Sequence, residues 1–208
     1  MARSLIVRVW LPDRPGALGQ VASRIGAVHG DVTAIDILER GADRVIDELV
    51  VTLPDTTSVE LLAKEIGAVD GVAVEHIRPA SDDRTDPATA FLELAARVAS
   101  APPSDRATTL GDGLMAAADA DWVVIARRET VLQSFGASPD PHWLEAFLDG
   151  SGHLGRARLD NGPGDLMWAG VPDAGLSVAV GRTGRPIHER ERRRLELLAT
   201  TVAELLPS

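Results

Sequence analysis

The chain reads as an α+β protein of two domains in series, and three observations carry that reading. Residues 1–79 switch between period-2 and period-3.6 apolar patterns in the order β-α-β-β-α-β. A polar stretch from Pro79 to Pro87 follows, carries two prolines and keeps no apolar period, so residues 80–87 read as a linker. Residues 88–208 then carry a second set of short apolar strands between an opening and a closing amphipathic helix. A length of 208 residues suits two small cores better than one large one.

Each N-terminal element has its own signal. Ser4 to Leu11 is a strand, and Asp13-Arg14-Pro15-Gly16-Ala17-Leu18 turns it into a helix. Proline suits a first helical turn, where its missing N–H has no intrahelical partner. Asp13 is placed to cap the amides inside that turn. Gly16, without a Cβ, admits close approach by backbone or a small ligand. Leu18, Val21, Ala22, Ile25 and Val28 make one apolar stripe, and Gly30 ends the helix. Val32 to Leu38 and Val45 to Leu53, on either side of Gly41-Ala42-Asp43, predict a hairpin. Thr57 and Glu60 have capping-box spacing ahead of Val59, Leu62 and Ile66. Gly71 releases the chain into a last strand, Val72 to Ile77. This order is the ferredoxin-like arrangement.

Over Ser4 to Pro79 the sequence resembles the ACT domain family, whose first loop carries a D-x-P-G-x-L pattern matched by Asp13, Pro15, Gly16 and Leu18. The resemblance implies a regulatory module that pairs side by side into a homodimer, with strand one or strand two near the two-fold axis. It also implies a small-molecule ligand, an amino acid, at the join. On that reading Asp13, Arg14, Gly16, Ala17 and Leu18 frame one side of the ligand, and the amides of the helix start receive its carboxylate. Gly30, Asp31, Val32 and Thr33 of the partner close the other side. Asp31 would accept from the α-ammonium group, Thr33 would bond a polar group, and Arg14 would grip the carboxylate. Gly16→Val is then expected to block the site while leaving the fold nearly intact.

In residues 88–208, Phe91, Leu94, Ala95 and Val98 share a helical face, and the helix ends before Pro102-Pro103. Arg106 to Ala118 aligns Leu110, Leu114 and Ala118, although Gly111 and Gly113 weaken it as a helix. Trp122 to Ala126 and Thr130 to Phe135 are strands joined by Arg127-Arg128-Glu129. His142 to Leu148 reads as a short helix, and Gly150 to Gly164 as loop. Leu166 to Val171 and Leu176 to Gly181 are further strands, and His188 to Leu206 is a helix with Leu195, Leu198, Ala199, Val202 and Leu205 on one stripe. On Trp122–Ala126, Leu176–Arg182 and the helix after Ile187, this half resembles a shortened GAF domain. The resemblance implies one antiparallel sheet with Trp122–Ala126 and Leu176–Gly181 central, and the helices at 88–99 and 188–206 together on one face. It implies a small or collapsed pocket and a dimerisation or relay role.

Composition narrows the function. Hydrophobic residues at 45% suffice for real cores, and aromatics at 3% mean those cores are aliphatic. A net charge of −10 and a pI near 4.9 disfavour a general nucleic-acid surface. The chain has no cysteine, which removes disulfides, thiolate metal sites and cysteine nucleophiles. No segment reads as a signal peptide or membrane span, so the expected compartment is the cytoplasm. The five histidines have no i, i+4 pairing, which argues against a metal. Gly150-Ser151-Gly152-His153 lacks an acid partner, and Asp160 to Asp165 lacks calcium-loop spacing. Arg190, Arg192, Arg193 and Arg194 alternate with Glu189, Glu191 and Glu196 as a solvated face. The sequence therefore predicts a non-enzymatic sensor with no cofactor and no catalytic residues. The alternatives are an enzyme with its site in the 150–175 stretch and a pure protein-interaction module.

Overall fold

The computed structural model describes residues 2–41, 43–80, 85–127, 130–140, 143 and 165–206. They form two compact units, Met1–Arg84 and Thr85–Ser208. Each is an α+β body on a four-stranded, wholly antiparallel sheet.

In the N-terminal unit the elements are β1 (Ala2–Pro12), α1 (Ala17–Ala27), β2 (Asp31–Arg40), β3 (Arg44–Pro54), α2 (Val59–Gly67) and β4 (Ala73–Pro79), with strand order β2-β3-β1-β4. Leu5, Val7, Val9 and Leu11 of β1 and Leu49, Val51 and Leu53 of β3 take alternate positions and meet Val21, Ile25, Leu62 and Ile66 from the helices. Each such side chain contributes about 1.5–3 kcal/mol on burial. β1 lies between β3 and β4, so it cannot be an outer strand at a two-fold axis. Of the two strands expected there, only β2 presents an edge. Ile35, near the middle of β2, is half exposed.

Three local expectations need correction. The buried stripe of α1 is Ala17, Val21 and Ile25, continued by Val28, while Ala22 is exposed. The helix ends through His29 in the left-handed region (φ 61) and not through Gly30. Gly30 is needed for space: a Cβ there would lie 2.8 Å from Ile25 Cγ2. The cap of α2 is Ser58, whose Oγ accepts from Leu61 N–H at 3.1 Å. Thr57 is buried and donates its hydroxyl to Val28 O at 3.2 Å, so no Thr57–Glu60 box forms. A simple stability test follows from α1. Gly26 is exposed in its last turn, and a Cβ there would meet nothing within 4 Å. Gly26→Ala should stabilise the unit by roughly 0.5–1 kcal/mol, read as a rise in melting temperature.

The described residues of the C-terminal unit include α3 (Pro87–Ser100), α4 (Arg106–Ala117), β5 (Trp122–Arg127), β6 (Thr130–Gly136), β7 (Leu166–Val171), β8 (Leu176–Gly181) and α5 (Glu189–Val202). One turn of 3₁₀ helix, Ala203–Leu205, follows α5. Asp86 and Pro87, read in the sequence as linker, are the N-cap and first residue of α3. The Asp86 carboxylate accepts from Thr89 N–H at 2.8 Å. The strand order is β6-β5-β8-β7, so β5 and β8 are central. Val123, Ile125, Met167, Ala169, Val178 and Val180 face one core, shared with Leu94 and Val98 of α3, Leu110 and Leu114 of α4, and Leu195 and Val202 of α5. The three helices among the described residues therefore cover one face. Gly111 and Gly113 sit where the helix is packed tightest: a Cβ would lie 2.0 Å from the Phe135 ring and 2.1 Å from Leu94 Cδ1. On the other face Trp122, Val124, Ala126, Leu166 and Ala179 form a second buried cluster, with Val131 and Trp168 against it.

Candidate functional site

The turn after β1 is closed by backbone alone. Asp13 N–H donates to Asp43 O at 3.0 Å, Arg14 N–H to Pro12 O at 2.8 Å, and Ala17 N–H to Arg14 O at 3.2 Å. Gly16 is the N-cap of α1 at φ 86, without a side-chain cap bond. Asp13 thus does not cap the helix, and Pro15 stands outside it. Residues 13–16 are exposed, Ala17 is buried, and Leu18 is half-buried against the core. The Arg14 guanidinium makes a long contact with Gln20 Oε1 at 3.4 Å. A Cβ on Gly16 would meet nothing within 4 Å, yet its φ lies where a β-branched residue is strained. Gly16→Val would therefore disturb the turn itself, and the expectation of an intact fold is withdrawn.

The second group lies elsewhere. Gly30 N–H donates to Ile25 O at 2.9 Å. Asp31 is exposed opposite Thr52, and Val32 faces Val51. Thr33 occupies a β-bulge and donates its hydroxyl to Val50 O at 3.3 Å. Pro12, by contrast, stands opposite Arg44. From Arg44 to Thr52 the strand runs about 26 Å, at about 3.3 Å per residue. One subunit does not unite the two groups: they mark opposite ends of its sheet.

The structure adds a residue that the sequence reading passed over. Asp47 stands on β3 opposite Val9 of β1 and Ile37 of β2. Val9 and Leu49 face the helices, so the two-residue period turns Asp47 to the same face. It is 3% exposed, and its Oδ1 has no hydrogen-bond partner among the described residues. Burial pushes its carboxyl up to about 6; Arg40 opposes the shift, while Asp36 and Asp13 add to it. A legible signal existed, since Asp47 takes the inward position between Val45 and Leu49 in the alternation of β3. Its neighbour Glu48 pairs with Arg8 (Nε to Oε2, 2.6 Å), both buried.

In the C-terminal unit the main polar assembly is structural. Buried Arg182 donates to both carboxylate oxygens of Glu191 at 2.8 Å and to Pro186 O at 3.0 Å, joining β8 to the first turn of α5. Arg190, Arg192, Arg193 and Arg194 lie on α5, where Arg193 pairs with Glu196 at 2.9 Å. The 142–148 helix, Ser151, His153 and residues 160–164 lie outside the described residues. Among the described residues, no group of three or more histidine or acidic side chains is placed to hold a metal ion, and no helix is long and apolar enough to cross a membrane.

No protein-family model matches the chain, and neither does any curated protein. Among solved structures, an uncharacterised Thermotoga maritima protein matches at 22% identity and TM-score 0.31, over 39% of this chain and 100% of its own. An unknown protein of Galdieria sulphuraria matches at 13% identity and TM-score 0.36, over 99% of this chain and 92% of its own. A formyltetrahydrofolate deformylase of Pseudomonas putida matches at 18% identity and TM-score 0.30, over 46% of this chain and 38% of its own. At these TM-scores none of the three carries an argument about this chain.

Proposed function

We propose that this chain is a non-enzymatic regulatory protein whose N-terminal unit is an ACT-type module binding an amino acid between two copies, with a GAF-like C-terminal unit as relay. One observation carries the reading: the Asp13–Leu18 turn opens α1 at one end of a sheet in which, among the described residues, β2 is an outer strand. Open edges of this kind are normally covered. Two β2 edges related by a two-fold axis run antiparallel, so the start of the second copy's β2 meets the α1 end of the first sheet. The second copy's Gly30 to Thr33 would then face the first copy's Asp13 to Leu18, uniting groups that lie about 26 Å apart in one subunit. The first-turn amides of α1, which have no intrahelical acceptor, suit the ligand's carboxylate.

Light scattering at micromolar concentration should report a dimer, and a monomer would remove the shared site. A thermal-shift screen with the twenty amino acids should find at least one that raises the melting temperature, since a ligand of the folded state must do so. A dimer that no amino acid stabilises would favour the protein-interaction reading, for which the half-exposed Ile35 on β2 is the supporting observation.

A further inference from the structure

Asp47 is a buried carboxylate whose Oδ1 has no hydrogen-bond partner among the described residues. A buried carboxylate oxygen without a donor is destabilising, and such groups in native structures cluster at functional sites. Asp47 lies one strand inside the outer strand β2, beside Ile37. The charged groups that act on it are Asp13 from the turn and Asp36 and Arg40 from β2. The helix residues packed on that face (Val21, Ile25, Leu62 and Ile66) have apolar side chains. No side chain crowds the first turn of α1, since a Cβ on exposed Gly16 or Gly19 would meet nothing within 4 Å.

We infer that Asp47 anchors the cationic end of the ligand: a primary ammonium entering at the α1 end of the sheet bonds the unpartnered Oδ1, while the ligand's carboxylate lies on the Leu18 and Gly19 amides. The inference rests on the amino-acid reading above and moves the ammonium from exposed Asp31 to buried Asp47. Water competes for Asp31, whereas Asp47 is already desolvated, so a charge-assisted bond there discriminates better against ligands without an ammonium. Binding must also be linked to protons, because only the ionised carboxylate receives the ammonium.

The test uses the full chain, wild type and Asp47→Asn, in thermal shift and calorimetry at pH 8 and pH 5. The probes are the twenty L-amino acids, their decarboxylated amines and the matching 2-hydroxy acids. In wild type at pH 8 an amino acid should bind, its 2-hydroxy acid should not, and affinity should fall about tenfold at pH 5. Asp47→Asn should weaken that amino acid about ten- to a hundredfold and abolish the pH dependence. Equal affinity and unchanged pH dependence in Asp47→Asn would overturn the inference and leave the amino-acid reading standing. Stabilisation by amines but by no amino acid would keep Asp47 as a cation anchor and overturn the amino-acid reading. If neither class stabilises wild type at pH 8, both fall.

Discussion

Arg8→Ala should cost the N-terminal unit about 3–5 kcal/mol, the usual penalty for removing one member of a buried ion pair. Arg8 and Glu48 face each other across the β1–β3 pairing, 3% and 4% exposed, with Nε 2.6 Å from Oε2. Removing the guanidinium leaves the Glu48 carboxylate without the cation that faces it, in a place too dry to compensate. The double variant Arg8→Met, Glu48→Leu should recover most of the loss, because an apolar pair of similar volume carries no desolvation cost. Urea unfolding of the full chain, followed on the transition of this unit, measures both. A single-variant loss below about 1 kcal/mol would show that the pair behaves as a surface bridge.

Asp47 should make the same unit less stable at alkaline pH, an unusual direction for an aspartate. Its folded-state carboxyl is raised from 3.8 to about 6 by burial, with Arg40 opposing. The folded protein therefore holds this proton more tightly than the unfolded chain. The contribution is fully present below about pH 4 and is lost as pH rises through about 6. About two pKa units correspond to about 3 kcal/mol, so ligand-free Asp47→Asn should gain up to that amount at pH 8 and little at pH 4. Asp86 runs the other way in the C-terminal unit. The Thr89 amide, and then its hydroxyl, hold the Asp86 carboxyl below the usual range, so that stability is lost as pH falls. Chemical denaturation of wild type and Asp47→Asn across pH 4–8 checks the sign. A parallel pH profile for the two proteins would contradict it.

Most elements were legible because their signals are local. The inward series Leu5, Val7, Val9, Leu11 marks β1 whatever it packs against, and the stripe Leu195, Leu198, Val202 marks α5 in the same way. Misreadings fell where two neighbouring residues compete for one role. Thr57 and Ser58 both suit an N-cap, and the hydroxyl demand of Val28 O takes Thr57 out of the contest. Pro15 and Gly16 both suit a helix start, and the left-handed backbone at position 16 places the boundary after the proline. Gly111 and Gly113 looked like weak points in α4 because propensity counts only the helix. In the folded unit they are the contact points with Phe135 and Leu94.

By itself, then, the amino-acid order determined an α+β protein, the D-x-P-G-x-L turn at the head of α1, and the alternation that divides each strand between core and surface. These depend on residues a few positions apart, whose spacing is set by backbone geometry. Only the tertiary structure decided that β1 is interior and β2 is an edge, and that the two halves of the expected ligand site stand at opposite ends of one sheet. It alone left Asp47 desolvated among apolar neighbours with Asp13 and Asp36 close by. Strand order and burial join residues tens of positions apart, and no local period encodes which strand lies beside which.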